Sequence, residues 1–239
     1  MMLIGATALA GCGLFGPSFP TYRYRLTVEV DTPAGLRTGS SVIEVRTTRN
    51  GPNALDSPNL IFVDVRGEAV AVDLPGGQIL FATLSEWAGW VMLNANPYPK
   101  ELDYRNKNVD ADHVRYELML ANDALITLPR YFTPLSATGM QQSGYPMLVH
   151  FSDINDPKTV RIVDPENLSA SFGKRFNLRR VTVQIVNDNI TTGISNKLKW
   201  LRDYAEKHKR LNGSVSTSIS TNEASDNLDA GSFSTEIEK

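Results

Sequence analysis

Tyr22-Arg23-Tyr24-Arg25-Leu26-Thr27-Val28-Glu29-Val30 decides the fold class, because over nine positions polar and apolar side chains alternate without a break. Successive side chains of a β-strand point to opposite faces of a sheet, so a period of two specifies a strand with one buried and one wet face. Working outward, Asp31-Thr32-Pro33-Ala34-Gly35 supplies turn chemistry, and Ser41-Val42-Ile43-Glu44-Val45-Arg46 is placed to return as an antiparallel partner. Residues 60–65 and 69–72 repeat the pattern around Arg66-Gly67, and Pro75-Gly76-Gly77 separates them from Ile79-Leu80-Phe81. An antiparallel meander is the expected result. After a Pro/Gly-broken stretch, residues 129–146, strand character returns at 147–151, 160–163 and 180–186.

Helical spacing occurs in three places. Ser85 can cap a short helix in which Leu84, Trp87 and Val91 share a face. Asp110 can begin another that carries Val114, Leu118, Ala121 and Leu125. Beyond the Thr191-Thr192-Gly193 breaker, Ile194, Leu198, Leu201 and Ala205 form the stripe of a last helix. The predicted fold class is therefore α+β: mainly antiparallel sheet with two or three helices, in one domain over residues 21–211.

Hydrophobic residues make up 41% of the 239 and charged residues 21%, the usage of a chain that builds a real core. A net charge of −2 excludes a generally basic nucleic-acid footprint, so no nucleic-acid partner is expected. From residue 212 onward the chain is rich in Ser, Thr and Asn. Five carboxylates there (Glu223, Asp226, Asp229, Glu236, Glu238) face the single Lys239, and the apolar groups Val215, Ile219, Leu228, Phe233 and Ile237 are isolated. So few apolar groups predict a disordered acidic tail over residues 212–239.

At the other end, Leu9-Ala10-Gly11-Cys12 joins an apolar run to two small residues and the chain's only cysteine. A peptidase inside a membrane needs the first to hold its substrate and the second beside the cut. The stretch resembles the lipobox of bacterial lipoproteins. That resemblance implies cleavage after a signal peptide over residues 1–11, acyl chains on Cys12, and a bilayer as partner through that residue. Each buried methylene contributes about 0.8 kcal/mol, and two chains already hold a protein stably. Residues 1–11 contain no Lys or Arg and fall short of the usual signal length, so the true translation start is expected upstream. Residues 12–20, with Gly13, Gly16, Pro17, Ser18 and Pro20, have the composition of a lipidated tether. Gly13 is not the aspartate that retains lipoproteins at the inner membrane, so the resemblance implies the outer membrane, facing the periplasm.

The segments YRYRLTVEVDTPAGLRTGSSVIEV, GEAVAVDLPGGQILFATL and YPMLVHFSDINDPKTVRIVDPENLSASFG resemble those of an uncharacterised family of Gram-negative bacterial proteins, as does VTVQIVNDNITTGISNKLKWL. The likeness spans residues 22–201. It implies one contiguous domain and, no activity being known for that family, lends no catalytic residue.

Candidate chemistry is sparse. Ser171-Phe172-Gly173-Lys174 matches the S-x-x-K of penicillin-binding proteins, in which lysine activates serine, but the companion S-D-N and K-T-G elements are missing and Lys158-Thr159-Val160 has Val in place of Gly. A Ser/Gly turn between strands is the plainer reading. Asn106, Asn108, Asp110, Asp112 and Glu117 fall on a calcium-loop spacing, yet Ala111 replaces the required glycine and the first ligand is neutral. Asp153 and Asp156 sit in a polar loop where an acid pair could meet a cleft. His113, His150 and His208 form no zinc spacing. Trp87 and Trp90 could form an aromatic platform, but their spacing suits a core-facing helix. Lys197, Lys199, Arg202, Lys207, Lys209 and Arg210 against Asp203 and Glu206 make the last helix basic, either a solvated face or a dock for anionic lipid. No catalytic, cofactor or metal residues are assigned. The expected function is a membrane-anchored envelope lipoprotein that binds an envelope protein or cell-wall partner without catalysis. The alternatives are a periplasmic hydrolase acting on cell-wall material and a purely structural envelope component.

Overall fold

The computed structural model describes residues 19–51, 60–96, 110–132, 142–215 and 223–237. The alternating stretch forms β1 (Tyr22–Thr32), which turns at residues 33–34 into the long β2 (Gly35–Arg49). β3 (Ile61–Arg66) pairs with β2 as expected. There the meander stops. At Gly67, whose φ of 143° lies where a Cβ is disfavoured, the chain leaves this sheet. It then builds a second one from β4 (Val70–Asp73), β5 (Ile79–Ala82), β9 (Leu148–Phe151) and β10 (Val160–Ile162). β11 (Asn177–Ile185) crosses back to pair with β1, and β6 (Ile126–Thr127) adds to its far edge. The first sheet therefore runs β3-β2-β1-β11-β6 and the second β10-β9-β5-β4, both antiparallel. A separate ribbon pairs β7 (Tyr131–Phe132) with β8 (Gln142–Ser143).

Side-chain alternation stacks these sheets. Tyr24, Leu26 and Val28 of β1, Ile43 and Val45 of β2, and Val181 and Val183 of β11 are buried in one core with Val70, Val72, Leu80, Ala82 and Leu148 of the second sheet. At Gly39 the two sheets approach closely: a Cβ there would land on the Ala71 carbonyl oxygen. Two ten-residue helices join this core. α1 (Glu86–Ala95) is capped by Ser85, whose hydroxyl accepts from the Trp87 N–H, and α2 (Ala111–Leu120) by Asp110, which accepts from the His113 N–H, both as expected. α1 buries Val91 in the same core as Leu84, as its spacing predicts. α2 presents a different face from the expected one. It buries Tyr116 and Met119, while Leu118 is exposed and Leu125 lies beyond the helix, also exposed. Tyr116 wins because its ring meets Phe19 at 4.6 Å and Tyr22 at 5.7 Å, an aromatic contact that Leu118 could not make.

The second sheet is covered on both faces, and its outer cover overturns the expected tail. Ala69, Phe81, Val149 and Val160 pack in a second core with Ile194, Leu198, Trp200, Leu201, Leu211, Ala224, Leu228, Ala230 and Phe233. Ile194, Leu198 and Leu201 of the stripe predicted for the last helix are therefore buried, and Ala205 partly so. The helix itself is broken into a 3-10 turn (Ile194–Asn196) and α4 (Leu201–Glu206). Residues 223–237 are no disordered appendage. They run through α5 (Ala224–Asn227) and a capped 3-10 turn (Ala230–Ser232) as a strap across the sheet. The Ala69 N–H donates to the Phe233 carbonyl at 2.8 Å, the Thr235 N–H to the Gly67 carbonyl at 3.0 Å, and the Leu211 N–H to the Leu228 carbonyl at 2.9 Å. The physical reason is the sheet and not the tail: a face carrying Phe81, Val149 and Val160 cannot be left in water. The few apolar groups of the strap are spaced to seal it. The domain thus runs from Phe19 to beyond the expected end at 211.

Candidate functional site

Cys12 and the rest of the LAGC motif lie outside the described residues, as do Asn106 and Asn108. The described chain begins at Phe19. Phe19 is buried, its ring under the Arg49 guanidinium at 4.9 Å and beside His113 at 6.0 Å. Arg49 also binds Asp110 (2.7 Å) and Asp112 (3.1 Å), and it holds the Asp110 carboxyl below the usual aspartate range. Both described aspartates of the calcium-like spacing thus already answer to an arginine and a helix N-terminus, while Glu117 faces His113 at 3.4 Å. Among the described residues no three His, Cys, Asp or Glu side chains group as metal ligands.

Of the hydrolase candidates, Asp153 lines an open cleft of about 310 Å³ with Gln78, Phe81 and Phe151. Ser171 lies in the last turn of α3 (Leu168–Phe172), a short helix where a turn was expected, and Lys174 follows on the exposed side of Gly173. No described hydrogen bond joins them. Asp153 accepts from the Asn155 N–H at 2.9 Å and Asp156 from the Lys158 N–H at 3.0 Å, while the Thr159 hydroxyl donates to the carbonyls of both aspartates. These side chains shape a loop. His150 stands opposite Arg161 with its ring against Phe172 at 5.2 Å, and burial, with Arg161 as the lesser cause, lowers its pKa. It is a half-buried packing residue. Trp87 is half-buried and Trp90 exposed, so the two do not form one platform.

The basic stretch is neutralised in part, Lys207 and Lys209 sharing one carboxylate. Lys197 binds Asp73 at 2.6 Å, Lys207 and Lys209 both reach Asp203, and Arg210 donates to the Asp226 carbonyl at 2.9 Å. Lys199 and Arg202 have no partner among the described residues. Between α4 and the strap lies an open cleft of about 390 Å³ lined by Tyr204, His208, Lys209, Asp229, Ser234 and Ile237. The sequence alone does not show this cleft, because one of its walls has the composition of a disordered segment.

The least expected polar group is Glu68, in the bridge between β3 and β4. It is buried and meets no described cation. Its carboxylate accepts from the Ile194 N–H at 2.8 Å and from the Ser234 hydroxyl at 3.4 Å, so one side chain holds both segments of the outer layer. Burial raises its pKa against the lowering effect of those donors. Beside it Arg66 joins Glu44 (3.4 Å) to Glu236 of the strap (3.0 Å).

In comparison with known proteins, no family profile, curated protein or solved structure matches the chain. Among the described residues no helix is long and apolar enough to cross a membrane.

Proposed function

We propose that this chain is a lipid-anchored protein of the cell envelope, held at the outer membrane through acylated Cys12 and facing the periplasm, where it works as a binding or assembly module without catalysis. The observation that carries the reading is the entry of the chain at Phe19. Seven residues after the cysteine of a lipobox-like motif, an aromatic side chain is fixed in the body by Arg49 and Tyr116. A tether of that length is ample for a bilayer anchor and short enough to keep the body beside it. The absence of catalysis is supported by how the candidate groups are used: Asp153 and Asp156 shape a turn, and His150 packs its ring against Phe172. Fractionation tests the anchor. Wild-type protein should partition with membranes and resist extraction by high salt, whereas Cys12→Ser should be released or retained as precursor. Wild-type protein in the soluble fraction would overturn the proposal.

A further inference from the structure

We infer that the corner of the first sheet carrying Leu60 and Phe62 is a lipid-contacting surface, laid at the headgroup level of the bilayer that the anchor enters; the inference rests on the anchored reading above. Reach comes first. Cys12 to Phe19 is seven residues, which even fully extended span no more than about 25 Å. The end of the sheet that holds Phe19 is therefore the end nearest the membrane.

Register then places the corner. Arg49, whose guanidinium covers Phe19, stands opposite Ile61 on β3, Thr48 stands opposite Phe62, and the Asn50 N–H donates to the Leu60 carbonyl at 2.9 Å. Leu60 and Phe62, two residues apart, share the outward face of the sheet at that same end, and they are 46% and 49% exposed. Arg46 and Asp64 stand opposite each other on this face, so the corner carries little net charge and its attraction to a bilayer is apolar. Leu36, also 47% exposed, sits in the hairpin opposite Asp31, twelve residues along β2 from Thr48 and so up to about 40 Å from the corner.

The depth follows from the backbone. β3 is the outermost strand, and the Asn50–Leu60 bond fixes the even-numbered residues of the strand as those bonded to β2. The N–H and C=O groups of Ile61, Val63 and Val65 are turned to the open edge. In hydrocarbon they would be costly, whereas at the headgroup boundary water and phosphate can satisfy them. The same open amides report docking.

Cys12 is the only cysteine, so the full chain can be coupled through it to a maleimide-bearing phosphatidylethanolamine in phosphatidylethanolamine/phosphatidylglycerol vesicles, with chain capped by N-ethylmaleimide as the free control. Amide hydrogen exchange at Ile61, Val63 and Val65 should be about tenfold slower on the vesicles, the ratio that 1.4 kcal/mol of docking gives. It should be so at low and high salt alike, with residues 33–38 unchanged. Leu60→Ser with Phe62→Ser should abolish the slowing and leave the melting temperature as it was. Equal rates in the free and tethered chain would overturn the inference, as would slowing that persists in the double variant, vanishes with salt or extends equally to residues 33–38. Because the maleimide supplies the anchor, such a result counts against docking alone; an unmodified Cys12 in protein from native membranes counts against the anchored reading.

Discussion

Phe233→Ala removes the ring on which the outer core closes, and its cost follows from the packing. Phe233 is completely buried, with the rings of Phe81, Phe151 and Trp200 at 5.7–5.8 Å around it. Truncating a core phenylalanine to alanine costs about 3–5 kcal/mol when the surroundings cannot collapse. Here they cannot do so readily, since Phe81 is fixed in the middle sheet and the Ala69 and Leu84 N–H groups hold the strap backbone on either side. A domain of this size shifts by about 2–4 °C per kcal/mol, so calorimetry should show a melting temperature lower by about 6–20 °C. Deleting residues 223–239 should cost at least as much and expose enough apolar surface to bind a hydrophobic dye. A change of only a degree or two for either variant is what a disordered tail would give, and it would refute the three-layer account.

Glu68 adds a pH dependence of definite sign. Burial raises its folded pKa above the unfolded value near 4.5, so its penalty is absent below about pH 4.5 and grows as pH rises through the folded pKa. Thermal melts of Glu68→Gln against wild type should thus show a stability difference that changes over this window, with the wild type relatively better in acid; a difference constant from pH 4 to 7 would contradict the assignment. Gly39→Ala drives a methyl into the Ala71 carbonyl oxygen, and urea unfolding should show a loss of about 1–3 kcal/mol or more; a neutral outcome would mean the sheets are further apart than described. Asp110→Ala removes the cap of α2 and one partner of Arg49, for a loss of about 1 kcal/mol in the same assay, discounted for the partial exposure of the pair; no loss would show that Asp112 alone suffices.

The strands were legible because they carry their own periodicity. Alternation over residues 22–30 is a local property, and the structure keeps β1 there with Tyr24, Leu26 and Val28 inside. Which sheet each strand joins is not local, and the switch at Gly67 left only a glycine as its trace. The strap is illegible in the sequence for a related reason. Its apolar residues are too few to fold alone, and the demand for them lies some 80–150 residues earlier, in Ile79-Leu80-Phe81-Ala82 and Leu148-Val149-His150-Phe151. Those runs do not alternate cleanly, which is the mark of a strand buried on both faces, and they imply a second cover that some other segment must provide. Ser85 and Asp110 were readable as caps because a cap needs only its own side chain and the next turn. Glu68 was not, because its donors lie 126 and 166 residues away.

Cys12 is where the account is most directly exposed to measurement. Intact mass spectrometry of the protein extracted from its native membrane should give a chain that begins at Cys12 and carries the added mass of a diacylglyceryl group and an amide-linked acyl chain. A chain with residues 1–11 still attached, or an unmodified thiol at Cys12, would contradict it.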